Sequence, residues 1–263
     1  MKRLLALLSI MILTSCANPY AQFYRGQPDA RTLVQYEPSA EPLKVYTTDN
    51  FDRDIRVLVT KGYFVIGNSS FNAGGNAVTE AQLQEQAKRV GAQVVLVASQ
   101  YTNTVSGAVP LVLPNNTTSY SSGTATAYGS GGYATAYGSG TTTTYGTQTV
   151  MMPYQTQRFD FGAVYLAKGK QRVGLYPKPL DDETRKTLGT NKGLIVDLVV
   201  EGSPAFMADV LPGDILVSVA GQPVYSLEQY ITLLGTLEGK PVAFEILRNG
   251  VSLEKQITVT GYK

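Results

Sequence analysis

The sequence predicts an α+β protein with two small domains in a row. Three observations predict this class. The first half contains a helical stretch that ends in glycine and leads directly into an apolar strand, and the second half alternates apolar strands with turns marked by glycine and proline. A long uncharged tract of small residues separates these two patterns. The chain has 263 residues, of which 43% are hydrophobic and 16% charged, so both domains can have a buried core.

The charge balance argues against nucleic acid as a partner. Lys and Arg number 22 against 20 Asp and Glu, and the excess is accounted for by Lys2 and Arg3 at the start of the chain. The rest of the chain is therefore neutral overall, without the basic field that attracts DNA or RNA.

Residues 1–15 have the pattern of a secretory signal: Lys2-Arg3 precede an apolar run that is too short to span a bilayer. The following Leu13-Thr14-Ser15-Cys16 resembles the lipobox of bacterial lipoproteins, and Cys16 is the chain's one cysteine. The resemblance implies lipidation of Cys16, for example by palmitate, and a lipid-anchored place in the bacterial cell envelope. Ala17-Asn18 lack the aspartate that retains many lipoproteins at the inner membrane, which favours the outer membrane. The alternative is an ordinary secretory signal.

Residues 16–42 are expected to form a tether, because four prolines interrupt a polar stretch. The alternative is that its aromatic residues pack onto the first domain; they are Tyr20, Phe23, Tyr24 and Tyr36.

Residues 43–166 are predicted to form a small α+β envelope domain. Its clearest helix covers residues 79–90, with Thr79 as the N-cap and Gly91 as the C-cap, and residues 92–98 follow as a buried strand. Residues 55–59 and 63–66 fit two strands, or a helix that runs into a strand. This arrangement faintly resembles small domains of other envelope lipoproteins, and that resemblance implies no function.

Residues 115–149 form a Tyr/Gly/Ser/Thr-rich insertion, in which Ala125-Thr-Ala-Tyr-Gly-Ser-Gly recurs nine residues later. No charged residue occurs from Tyr101 through Gln157. A mobile loop is one interpretation, because the tract lacks apolar bulk. The other is an extended hairpin with tyrosines on one face that meets glycan, cell wall or a protein partner. Pairing of residues 104–113 with the strand after 149 would place the insertion at the hairpin tip.

The sequence argues against catalysis and against bound metals or cofactors. It contains no histidine, which excludes Ser-His-Asp and Cys-His catalysis and most zinc sites. Gly67-Asn68-Ser69 resembles a nucleophile turn, yet no base is fixed near it; Lys61 and Lys88 are the candidates for a Ser-Lys pair. Three aspartates at 49, 52 and 54 are spaced like the start of a calcium loop but lack its glycine and its twelfth-position acid.

The second domain is predicted from three turn motifs. They are Gly202-Ser-Pro-Ala205, Pro212-Gly-Asp-Ile-Leu216 and Gly221-Gln-Pro-Val224, with Asn249-Gly250 closing a hairpin behind them. In this order and spacing they resemble a bacterial PDZ domain, over residues 172–261. This implies a PDZ-like β-barrel or sandwich with short helices, similar to the PDZ modules of periplasmic trypsin-like proteases but without the protease. Ala208-Asp209-Val210 departs from the Ala-Gly-Leu that is usual there.

The resemblance implies a peptide groove between a sheet edge and a helix. A ligand's C-terminal segment would add as a strand, with its carboxylate held by backbone N–H groups of the loop at Arg172-Val-Gly-Leu175. The Ser226-Leu-Glu-Gln229 capping box would start the opposite helix, which is expected to end before Gly235. Pro177 and Pro179 each remove an N–H, so the pairing edge is expected to be short. The predicted peptide-binding residues are Val173, Gly174, Leu175, Tyr176, Leu227, Tyr230, Ile231 and Leu234.

These features together predict a non-catalytic, membrane-anchored lipoprotein. Its PDZ domain would bind protein C-termini or extended segments, as an adaptor or sensor and with an envelope protease as one possible partner. The alternative is a surface scaffold, in which the PDZ domain mediates self-association with its groove filled by the chain itself, and the tyrosine-rich insertion contacts the cell wall.

Overall fold

The computed structural model describes residues 18–262. The predicted signal segment and Cys16 lie outside the described residues. Between residues 18 and 262, no helix is both long enough and apolar enough to cross a membrane.

The elements mix helices and strands, which confirms the α+β class. The six α-helices are α1 (Pro19–Gln22), α2 (Phe51–Thr60), α3 (Glu80–Val90), α4 (Asp182–Leu188), α5 (Pro204–Met207) and α6 (Leu227–Thr236) within the described residues. Short 3₁₀ helices cover Ala30–Thr32 and Gly75–Ala77. The strands in residues 18–262 are β1 (Tyr24–Gly26), β2 (Lys44–Thr47), β3 (Tyr63–Gly74), β4 (Val94–Gly129), β5 (Gly132–Lys168), β6 (Leu175–Pro179), β7 (Leu194–Val199), β8 (Ile215–Val219), β9 (Gln222–Pro223), β10 (Pro241–Arg248) and β11 (Val251–Thr258).

The first sheet has five strands in the order β1-β3-β5-β4-β2, with β1 antiparallel to β3 and β2 parallel to β4. The tether prediction is wrong for residues 18–36, where the alternative holds, because β1 pairs with β3 and Tyr20 is buried in the core of this domain. Residues 37–42 are exposed and contain no helix or strand. The Tyr20 ring meets the Phe71 ring edge to face, with the centroids 5.1 Å apart. The apolar area of these aromatic rings is what draws the segment onto the sheet.

Residues 51–74 adopt the second of the two predicted arrangements, a helix that runs into a strand. The Asn50 side chain accepts a hydrogen bond from the Arg53 amide and starts α2. Helix α3 is also capped as predicted: Thr79 and Gln82 form a reciprocal capping box, and Gly91 ends the helix at a φ of +73°.

Thr102–Arg158 form a compact unit of their own, made of the outer parts of β4 and β5. A two-residue turn at Ser130-Gly131 joins the strands, so the insertion is a regular hairpin here and not a loop. Thr118 lies against Thr143 and Thr126 against Thr135, with hydroxyl oxygens 3.4 and 3.3 Å apart. These pairs fix the register of the hairpin.

The second sheet follows the path β11-β10-β8-β7-β6, with β9 paired to β8. This path does not close, so the barrel among the two predicted forms, barrel or sandwich, is not formed, and the sheet is open. The core beneath it includes Leu194, Leu216, Phe244 and Ile246, none of which is exposed to solvent. Alternation of buried and exposed residues along β10 places that apolar face inward.

Local sequence determines two further features of this domain. Asn249 and Gly250 take φ of +51° and +80° and close the β10-β11 hairpin, as predicted. Helix α6 begins after Ser226 as predicted but continues through Gly235 to Thr236. The expected end was wrong because Gly235 keeps a negative φ, and the C-cap residue Leu237 still packs on the core.

Candidate functional site

A mostly apolar cleft of about 400 Å³ lies between β6 and α6. Strand β6 is at the end of the sheet path, so its outer edge has no strand neighbour within residues 18–262. The lining residues come from the loop before β6, from β6, from one face of α6 and from the C-terminal segment; they are Gln171, Arg172, Val173, Gly174, Leu175, Tyr176, Pro177, Leu227, Tyr230, Ile231, Leu234 and Tyr262.

All eight residues predicted for the groove lie along this one cleft. They differ in burial, because the helix places its apolar residues on adjoining faces. Tyr230 and Leu234 belong to the hydrophobic core and reach the cleft from below, whereas Leu227 and Ile231 are 40% and 59% exposed at its mouth. Val173 and Leu175 are buried, and Tyr176 is partly exposed on β6.

The carbonyl groups of the loop before β6 form hydrogen bonds with backbone amides of other segments of the domain. The carbonyl oxygens of Arg172, Val173 and Gly174 accept hydrogen bonds from the amides of Thr260, Ala205 and Val200, at 2.8 to 2.9 Å. Among residues 18–262, no acceptor is found for the amides of Val173 and Gly174. Successive amides of this kind form the type of site that holds an anion without a basic side chain.

Gly174 is needed for packing at this loop as well as for its conformation. Its φ is +76°, and a Cβ placed there would lie 2.1 Å from the Cβ of Ser203. Ser203 in turn caps α5 by accepting a hydrogen bond from the Phe206 amide. The absence of a side chain at Gly174 therefore lets the loop lie directly against the start of α5.

Tyr262 lines the cleft although the sequence did not predict it there, and the side chain of Arg172 has a role beyond the backbone loop that was predicted. The Arg172 guanidinium lies 5.4 Å from the centroid of the Tyr262 ring and donates a hydrogen bond to the Leu234 carbonyl at 2.6 Å. The Thr260 hydroxyl donates to the Arg172 carbonyl at 2.9 Å, which brings the C-terminal segment to the loop. The sequence feature that could have indicated this contact is the tyrosine two residues after Thr260.

The Tyr230 hydroxyl is the polar group at the buried side of the cleft. It is buried and has no hydrogen-bond partner among the described residues. Burial raises the pKa of this phenol well above its usual value, so the hydroxyl keeps its proton. A protonated buried hydroxyl without a partner favours a ligand that brings a polar atom to it.

The departure at Ala208-Asp209-Val210 is accommodated by an ion-pair network. Asp209 takes the left-handed conformation usual for glycine, at a φ of +59°. Arg248 donates to the Asp209 carbonyl at 2.8 Å and binds the carboxylate of Asp214 through two bonds of 2.7 and 2.8 Å. Lys255 lies 3.3 Å from the Asp209 carboxylate and, as the largest cause, lowers the pKa of that group.

Ser69, the candidate nucleophile, is a buried hydroxyl of the first domain. It donates a 2.7 Å hydrogen bond to the Tyr20 carbonyl and lies 3.3 Å from the Tyr165 hydroxyl. Its hydrogen bond joins β3 to the N-terminal segment, which is a structural role.

Comparison with known proteins identifies the class of this domain. The family model described as "PDZ domain" matches residues 195–248, so the chain contains a PDZ domain, a type of non-catalytic module. The match begins at Ile195, after the loop at Arg172–Leu175, and includes α6. A search of curated proteins finds no match.

Three solved structures resemble parts of the chain. One is a variant of the HtrA-type protease AlgW with a decapeptide, at 25% identity over 34% of this chain and 28% of that chain, with a TM-score of 0.32. Another AlgW structure with a decapeptide has 20% identity over 37% of this chain and 36% of that one, with a TM-score of 0.31. The HtrA3 PDZ domain bound to a phage-derived ligand (FGRWV) has 22% identity over 34% of this chain and 84% of that chain, with a TM-score of 0.30.

Proposed function

We propose that the cleft between β6 and α6 binds the C-terminus or an extended segment of another protein, and that the chain is a non-catalytic adaptor or sensor. The observation that carries this proposal is the convergence of a free sheet edge, two loop amides without acceptors and an apolar helix face on one cleft. An added strand would pair with β6, its carboxylate would meet the loop amides, and its last side chain would contact Leu227 and Ile231.

The test is fluorescence anisotropy with a library of labelled peptides that have free C-termini, each compared with its C-terminally amidated form. Ile231→Asp places a charge at the cleft mouth, on a side chain that is already 59% exposed, and is expected to weaken binding at least about tenfold without unfolding the domain. Val251→Asp is the matched control, because Val251 is 58% exposed on β11 and does not line the cleft.

Equal binding by wild type and Ile231→Asp, or no selective peptide at all, would contradict the proposal. Loss of binding when the peptide is amidated supports recognition of the carboxylate at the loop. Binding that persists in the amidated peptide supports pairing of an internal segment with β6. Gly174→Trp is a poor probe, because the side chain would collide with Ser203 and disturb the fold.

Tyr262 favours the second candidate function, a docking module whose cleft is filled by the chain itself. The C-terminal segment already lies against the loop through Thr260, and the Tyr262 ring lines the cleft. Removal of residues 262–263 is expected to strengthen peptide binding if this segment competes with ligands. Unchanged affinity would mean that Tyr262 forms a wall of the cleft and not an occupant.

The anchored location in the envelope is proposed from the sequence at Leu13–Cys16. A Cys16→Ala variant should lose incorporation of labelled palmitate and leave the membrane fraction. Retention of the label in the variant would contradict lipidation at Cys16.

A further inference from the structure

The hairpin of residues 102–158 carries a stripe of tyrosines on one face. Because strand side chains alternate between faces, Tyr120 and Tyr128 share the face of Thr118 and Thr126. On β5, Tyr133, Tyr137 and Tyr145 share the face of the paired Thr135 and Thr143. The five tyrosines of this stripe are 75 to 83% exposed; they are Tyr120, Tyr128, Tyr133, Tyr137 and Tyr145. The rings of Tyr128 and Tyr133 lie 6.2 Å apart across the two strands.

Both long edges of this hairpin are open. In the part of the chain that the structure describes, the other neighbours of β4 and β5 are β2 and β3. β2 meets β4 at Val94–Val97, and near the end of β3 the Asn72 amide donates a 2.7 Å hydrogen bond to the Asp160 carboxylate, so both contacts lie outside residues 115–149. Exposed edges are normally protected by charged residues or prolines. Residues 115–149 contain neither, although prolines occur at positions 110, 114 and 153 nearer the base.

The two edges are also alike in sequence. Ala125-Thr-Ala-Tyr128 lies on β4, and Ala134-Thr-Ala-Tyr137 lies on β5, so the repeat gives both strands the same side chains near the tip. A strand edge of this kind can pair antiparallel with its own copy about a twofold axis. Without charges along residues 102–157, two copies do not repel each other at this surface.

The tyrosines add side-chain contacts to such pairing. Rings on adjacent strands of one sheet lie side by side, and aromatic cross-strand pairs stabilise a sheet. An isolated two-stranded hairpin is only marginally stable in water, and additional strands remedy this.

We propose that the tyrosine-bearing hairpin is a self-association surface whose partner is a second copy of this chain, joined edge to edge through residues 115–149. Backbone groups along the open edges supply the hydrogen bonds about a twofold axis perpendicular to the sheet. The two tyrosine stripes then lie side by side on one face, where rings on adjacent strands contact each other across the joined edge.

Sedimentation velocity of the purified full chain over a wide range of concentrations tests this interaction. Wild type is expected to associate reversibly. The double variant Tyr137→Lys/Tyr145→Lys is expected to weaken association at least about tenfold, because association would desolvate like charges. Tyr137→Phe/Tyr145→Phe is the matched control and should associate as wild type does, because the ring area is kept. A shortened chain, with Asn-Gly in place of residues 118–143, should be monomeric.

Three outcomes would overturn the proposal. They are a monomeric wild type at every concentration, undiminished association of the shortened chain, and loss of association in Ile231→Asp, which would place the contact in the cleft of the PDZ domain. A monomeric chain that co-sediments with isolated cell-wall glycan through its tyrosines would identify glycan as the occupant instead.

Discussion

The PDZ domain and the hairpin of residues 102–158 are both built from antiparallel strands, yet they bury their side chains to opposite extents. The sheet of the PDZ domain covers a core that includes Leu194, Phe244 and Ile246, whereas no residue of the hairpin is buried. The strands of the PDZ domain are thus stabilised mainly by removal of apolar area from water, and those of the hairpin by backbone pairing and cross-strand contacts. Strand geometry alone therefore says little about what holds a segment in place.

The largest expected difference between the two regions is the response to loss of an aromatic ring. Phe244→Ala should lower the free energy of unfolding by about 3–5 kcal/mol, because it leaves a cavity in a fully buried site. Tyr137→Ala should change it by less than about 0.5 kcal/mol. Urea denaturation followed by circular dichroism, at low protein concentration, measures both. Similar values for the two variants would show that the hairpin contributes to a common core.

A smaller difference is expected from the buried ion pair of the PDZ domain. Arg248→Met should lower the free energy of unfolding by about 3 kcal/mol, since the buried Asp214 carboxylate loses its cationic partner and keeps only the hydrogen bond from the Leu211 amide. The matched control is Arg185→Met on α4, where the pair with Asp182 is exposed and is worth at most about 1 kcal/mol. Thermal unfolding measures the loss of stability in each variant. An equal loss in the two would mean that water reaches the Asp214 carboxylate in Arg248→Met.

The smallest effect is expected at Asp197 on β7, where Arg56 of α2 and Lys178 of β6 lie 2.8 and 3.0 Å from the carboxylate. Arg56, and then Lys178, hold the pKa of Asp197 below its usual value. The ion pairs therefore stabilise the folded state fully above the pKa of an aspartate in the unfolded chain, about 4. This stabilisation is lost as the pH falls through the lower pKa that Asp197 has in the folded state.

Asp197→Asn should therefore lower the free energy of unfolding by up to about 1 kcal/mol at neutral pH, and by progressively less below about pH 4. Denaturant unfolding at a series of pH values measures the difference, with Asp182→Asn as the exposed control. If wild type and Asp197→Asn differ in stability by the same amount at every acid pH, the charge of Asp197 is not the source of that difference. The hairpin offers no such test, because residues 102–157 carry no charge.

The parts of the fold that the sequence predicted are those with local causes. Thr79, Gly91 and the Asn249-Gly250 turn act within a few residues of themselves, so the caps of α3 and the β10-β11 turn could be inferred. The eight groove residues fell into one cleft because the turn motifs fixed the order of the elements around them.

The features that were missed or left open depend on distant partners. Tyr20 belongs to a polar, proline-broken segment, so the sequence left its packing as one of two alternatives. Its burial is decided by Phe71, some fifty positions away. Tyr262 reaches the cleft because Thr260 pairs with Arg172, a contact that no local pattern encodes. Gly235 resembled a helix end, yet the core contacts of Leu234 and Leu237 extend α6 beyond it.

The position of the C-terminal segment has a practical consequence for recombinant work. Because Tyr262 lines the cleft, an affinity tag fused directly after residue 263 would be joined to the chain one residue beyond this lining, near the surface that the proposed peptide ligand would contact. Such a tag would compete with peptides or dislodge the ring from Arg172, and so would distort any affinity measured with it. A tag that is removed by proteolysis before the measurement avoids this artefact.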